Sequence, residues 1–166
     1  MSYALFAQAA LVNNTIDDTY GDLNTGVMPV YSDAGWHLGQ SCDTCFVKPD
    51  KTLAFMNSWH DATHHSGTSL ELSVNITFSG IAVYVFFIID NEISSTTPTA
   101  TAINIILDGQ YATSFNHIAT NNTSDFEYNV CVYSNNNLPA GQHTVSLVSP
   151  SRGPDSLMLF DYAKYT

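Results

Sequence analysis

Between Leu70 and Phe78, apolar and polar residues alternate without a break. Leu70, Leu72, Val74, Ile76 and Phe78 point one way, and Glu71, Ser73, Asn75 and Thr77 the other. A period of two predicts a half-buried strand. Beyond Ser79-Gly80 the run Ile81–Ile89 is apolar throughout, which predicts a central strand covered on both faces. Ala102–Leu107 and Gln110–Phe115 predict a hairpin, because Asp108-Gly109 between them suits a two-residue turn in which Gly accepts positive φ. Phe126–Val132 alternates again, with Phe126, Tyr128, Val130 and Val132 on one face and Cys131 on the other. His143–Val148, after the break at Pro139-Ala140-Gly141, and Leu157–Tyr165 complete the set. No stretch of eleven or more residues repeats apolar positions at three and four, so no amphipathic helix is predicted. Short strands with turn signals between them predict an all-β sandwich. The less regular first sixty residues predict long loops on that scaffold.

Composition narrows the class of function. The 166 residues suit one domain, 1–166, and 45% hydrophobic content is enough to offset the entropy of ordering. Fifteen acidic against four basic residues give a net charge of −11. That surface repels phosphate backbones and anionic headgroups, which excludes nucleic acid and a polybasic membrane contact. The longest apolar run is about half of what a bilayer-spanning helix needs, so membrane insertion is not expected. Ala7-Gln8-Ala9, within the apolar stretch Ala4–Val12, has the small-x-small form of a signal-peptidase site. Residues 1–10 are therefore expected to be a signal remnant or a first strand. The first alternative implies an extracellular or cell-surface location, where the sequons at Asn13, Asn75, Asn121 and Asn122 would matter.

Several motifs could carry chemistry. Cys42-x2-Cys45 followed by His60-x3-His64 has the spacing of a Cys2His2 zinc site. Asp61-Ala62-Thr63 is a poor helical bridge between the histidines, and a disulfide between Cys42 and Cys45 is the simpler expectation. Spacing leaves both open. Ser58-Trp59-His60-Asp61 cannot form a Ser–His–Asp triad, because adjacent residues do not reach one another as a triad requires. There is no G-x-S-x-G, H-E-x-x-H or phosphate-binding glycine loop. A metal-dependent enzyme using His60, His64 and His65 stands only as an alternative. Asp17 and Asp18 either start a turn or, with Asp161, hold a structural calcium ion, which favours clustered oxygens.

The order of motifs adds a further indication. Thr15-Ile16-Asp17-Asp18-Thr19, Tyr31-Ser32-Asp33-Ala34-Gly35-Trp36, Trp59-His60-Asp61-Ala62-Thr63 and Phe78-Ser79-Gly80-Ile81-Ala82-Val83-Tyr84-Val85 precede Leu107-Asp108-Gly109. Leu138-Pro139-Ala140-Gly141-Gln142-His143-Thr144 and Leu159-Phe160-Asp161-Tyr162-Ala163 follow. From Leu11 onward this resembles the galactose-binding-like jelly rolls of secreted or membrane-anchored proteins from mushroom-forming fungi. The resemblance implies two antiparallel sheets with the chain ends on neighbouring strands, so Ile16 should lie beside Leu159–Tyr162. It implies a non-catalytic, lectin-like module that binds glycans, as a monomer or a homo-oligomer; a structural interaction module that binds no sugar is the alternative. A pyranose stacks its C–H face on an aromatic ring and needs directional partners for its hydroxyls. Trp36, His37, Trp59, His60, Asp61 and His64 are the candidate ligand-binding residues, with both tryptophans equally candidates for core plugs.

Overall fold

Alternating runs in the chain become two facing antiparallel sheets. The computed structural model describes residues 12–32, 34–68, 70–151 and 153–166; the expected signal remnant or first strand at 1–10 lies outside the described residues. The strands are β1 Asn14–Asp17, β2 Gly21–Asp22, β3 Val30–Tyr31, β4 Trp36–Leu38, β5 His60–His64 and β6 Ser73–Gly80. They continue with β7 Val83–Glu92, β8 Thr101–Leu107, β9 Gln110–His117, β10 Asn122–Asn135, β11 Gly141–Val148 and β12 Ser156–Tyr165. A seven-stranded sheet runs β10-β7-β12-β1-β2, with β5 also on β12 and β4 on β5. The five-stranded sheet runs β3-β6-β11-β8-β9. The fold is the expected all-β jelly-roll sandwich, and β1 pairs with β12 so that Ile16 lies opposite Ala163 and Asp17 opposite Tyr162.

The main core fills the space between the sheets. Leu72, Val74, Ile76 and Phe78 are buried there with Val83, Val85, Phe87 and Ile89. Each such side chain stabilises the fold by about 1.5–3 kcal/mol. Leu70 precedes β6 and is exposed, so the alternation in the sequence runs one step beyond the strand. A second core of Val47, Ala54, Trp59, Ile88, Leu157 and Leu159 coats the outer face of the larger sheet. It explains why β7 and β12 are apolar on both faces: the segment 47–59 folds back over them. Trp59 is 2% exposed, and a side chain on Gly39 would collide with its indole.

Two details correct or refine the expectations. In β10 the pairing slips between Glu127 and Val130, where Asn129 takes a φ of +58°. A bulge reverses the facing of the residues beyond it. Phe126 and Tyr128 therefore pack on the outer core, while Val130 and Val132 join the inner one, and the four do not share a face. Cys131, opposite Phe86, is unpaired and exposed. The Asp108-Gly109 turn forms with φ of +50° and +77°, the two positive values that a tight hairpin requires.

Candidate functional site

Strand β4 pairs with β5 so that Trp36 lies opposite Ala62, and His37 opposite Asp61. Successive side chains on a strand face opposite ways. Trp36 packs against the inner core, while His37 and Asp61 line a cleft on the outer side. The same alternation separates Trp59, in the outer core, from His60, whose ring stacks on Tyr31 at 3.9 Å and 13°. The six candidate ligand residues are therefore not one surface. His37 and Asp61 share the cleft, Trp36 and His60 share a cluster with Tyr31, and Trp59 and His64 are buried. Trp59 is the core plug of its alternative reading. His64 Nδ1 donates to the Leu70 carbonyl, 3.0 Å away, and its Nε2 has no partner among the described residues.

The cleft has a volume of about 280 Å³ and lies between β5 and the loop closed by a disulfide between Cys42 and Cys45. With those thiols joined to each other, the zinc spacing does not describe this site. Phe46 comes directly after the disulfide and is 86% exposed at the cleft's rim. Its nearest signal in the sequence is its position, an aromatic beside a constrained turn, and no motif marks it. Asp61 lines the cleft at 5% exposure, with Thr44, Thr63 and His65 nearby along the wall. Burial pushes its carboxyl up to about 6, against the attraction of His37 and Lys48. Lys48 itself is held to the Cys42 carbonyl.

A second cluster ties the chain ends to the β4–β5 edge. Asp18, fully buried, accepts from Ser58 Oγ and Thr19 Oγ1 at 2.7 Å and meets His60 Nδ1 at 2.7 Å. Ser58 and His60 thus both turn to Asp18, and no triad forms. Tyr31 donates from its hydroxyl to the Asp18 carbonyl at 2.7 Å, and Trp36 Nε1 donates to Ser32 Oγ at 3.2 Å. Asp17 accepts from the Thr19 and Tyr20 amides, as an aspartate starting a turn does. Asp161 sits where β12 shifts register and accepts from the Phe55 amide at 3.0 Å. Burial raises Asp17 to about 6 and Asp161 to about 8, and the neighbouring carboxylates add to both.

The structure brings Asp17, Asp18 and Asp161 into one electrostatically coupled region, the three residues expected to hold calcium. Among the described residues, no group of three or more His, Cys, Asp or Glu side chains is arranged to hold a metal ion. What this cluster offers a hard cation is two buried oxygens without a partner, Asp17 Oδ2 and Asp161 Oδ2. His60, His64 and His65 have different partners and form no common centre.

No family model and no curated protein matches the sequence. Its fold does have solved counterparts. A family 35 carbohydrate-binding module from Clostridium thermocellum is 9% identical, with a TM-score of 0.51 over 93% of this chain and 97% of that one. The Agl-KA catalytic domain is 10% identical, with a TM-score of 0.54, over 99% of this chain and 30% of that one. A cycloisomaltooligosaccharide glucanotransferase from Paenibacillus sp. is 12% identical, with a TM-score of 0.49, over 81% and 17%. The chain spans less than a third of either enzyme. At these identities the likeness is one of fold, and the fold is that of a jelly-roll module.

Proposed function

We propose that this chain is a non-catalytic carbohydrate-binding module whose ligand lies in the cleft between β5 and the disulfide-closed loop. The observation that carries this reading is Phe46, 86% exposed beside the carboxylate of Asp61 and the ring of His37. An exposed ring at a cleft rim suits the C–H face of a pyranose, and Asp61 and His37 suit its hydroxyls. A rigid sandwich that presents loops is a common setting for binding. The jelly-roll likeness to a carbohydrate-binding module supports the same reading. A disulfide in a small domain favours an oxidising, extracellular setting, in keeping with the lectin-like secreted fungal proteins that the motif order resembles.

The test is a glycan array at near-neutral pH, followed by calorimetry on wild type, Phe46→Ala and Asp61→Asn. Both variants should lose binding, Phe46→Ala by about tenfold or more, with melting temperature almost unchanged for Phe46→Ala. Retention of full affinity by both variants would place the ligand elsewhere, and a protein that binds no glycan is an interaction module instead.

A second site reading concerns stability. The partnerless oxygens of Asp17 and Asp161 are the two atoms on which a structural calcium ion would rest, with its remaining oxygens supplied from outside this carboxylate pair. The ion would neutralise carboxylates that burial otherwise disfavours, and it has no part in the glycan contacts.

A further inference from the structure

The cleft does not end at Phe46. Phe46, Val47 and Thr97 also line a second hollow of about 190 Å³. That hollow in turn shares Ser94, Thr96, Thr97 and Thr99 with a third of about 310 Å³, whose far side carries Ile93 and Ile118. Shared lining residues set the three hollows side by side in one row, a trough running from His37 and Asp61, past Phe46, to the loop between β7 and β8. Each hollow alone is near or below the roughly 300 Å³ at which small-ligand sites begin, so an extended ligand would cross more than one of them.

The lining also has a chemical character. Exposed apolar groups recur along it, Phe46 at 86%, Ile93 at 54% and Ile118 at 76%, separated by hydroxyl side chains. A linear polysaccharide has this same alternation of C–H faces and hydroxyl edges. The ionisable groups are carboxylates, Asp61, Glu92 and Asp155, with His37 and His65 at one end. No Lys or Arg is among the described lining residues. Lys48 acts on Asp61 from outside the lining and is tied to the Cys42 carbonyl, so on a chain of net charge −11 a sugar carboxylate or sulfate would meet net repulsion.

Resting on the carbohydrate-binding reading, we infer that the trough takes several consecutive units of a neutral, linear polysaccharide rather than one terminal sugar. The occupant lies along Phe46, with one portion over Asp61 and another against Ile93 and Ile118.

The experiment titrates the whole chain with xylo-, manno- and cello-oligosaccharides from disaccharide to hexasaccharide, and with oligogalacturonides of the same lengths. In the series that binds, affinity should rise about tenfold or more from disaccharide to hexasaccharide, since each 1.4 kcal/mol of added contact is a factor of ten. Thr96→Trp, which fills the hollow beyond Phe46, should bring the hexasaccharide-to-disaccharide ratio close to one. Oligogalacturonides should bind more weakly than neutral chains at every length. Equal affinity for short and long neutral chains, or an undiminished ratio in Thr96→Trp, overturns the extended trough and leaves the single-cleft reading standing. Stronger binding of oligogalacturonides overturns the neutral assignment. Absence of binding by every probe, in agreement with a blank glycan array, removes both readings together.

Discussion

Asp61 titrates where a binding site would feel it. Its carboxyl is raised from 3.8 to about 6 by burial. Since the ionised form is the stronger acceptor for sugar hydroxyls, affinity should rise as pH increases through about 6. Stability moves the other way. A carboxyl whose folded value is raised contributes fully below 3.8 and loses that contribution as pH rises through about 6. Calorimetry between pH 4.5 and 7.5 should show stronger binding at the alkaline end, and Asp61→Asn should flatten the profile; a pH-independent wild type would remove Asp61 from the site. Trp59 makes a contrasting prediction at the same scale. It lies beneath Gly39, in the outer core, and its removal should cost about 3–5 kcal/mol. Trp59→Ala should lower Tm by about 10 °C or more, while the folded fraction keeps its glycan affinity. Lost binding with an unchanged Tm would reverse that assignment.

Among the elements, the segment from Gly39 to Trp59 does two things. It buries the outer face of β7 and β12, and it carries Phe46 to the cleft. The Cys42–Cys45 disulfide fixes the turn just before Phe46. Closing so short a loop removes about 2 kcal/mol of chain entropy from the flexible state. Without the bond, that ordering would be required at the moment of binding. Replacing both cysteines by serine should weaken glycan affinity by up to about 30-fold while far-UV circular dichroism stays that of a β-sandwich. Unaltered affinity would show that the outer core alone holds Phe46 in place. The bulges in β10 and β12 belong to the same level of description. One turns Phe126 and Tyr128 outward to meet this segment, and the other lies at Asp161.

For the whole molecule, pairing of β1 with β12 is what gathers acidic residues from both ends of the chain. Asp17 and Asp161 each leave one buried oxygen without a partner, an arrangement that costs free energy unless a proton or a cation resolves it. Calcium at a hundredfold excess over its Kd would add about 2.7 kcal/mol, a rise in Tm of roughly 5–10 °C for a chain of this size. Asp161→Asn should abolish the increment. Equal melting temperatures in calcium and in chelator would leave these carboxyls to protons and to the turn amides.

The strands were legible because burying one face imposes a period of two, and β6, β8, β9, β11 and β12 fall close to where alternation and turn residues put them. The turn at Asp108-Gly109 was legible for an equally local reason, the need for positive φ. Pairing of the chain ends came with the motif order. The bulge at Asn129 was not legible, since a one-residue slip depends on the partner strand rather than on the strand's own composition. The candidate site was half legible. His37 and Asp61, singled out by residue type, line the cleft, whereas Trp59 and His64, singled out on the same grounds, are buried. Phe46 looked like any other loop aromatic until the fold placed it at 86% exposure beside Asp61. Local geometry therefore determined which segments became strands. Which aromatic rings were left facing water depended on how the segment 39–59 packed across the outer face of the larger sheet, and only contacts between segments distant in sequence set that.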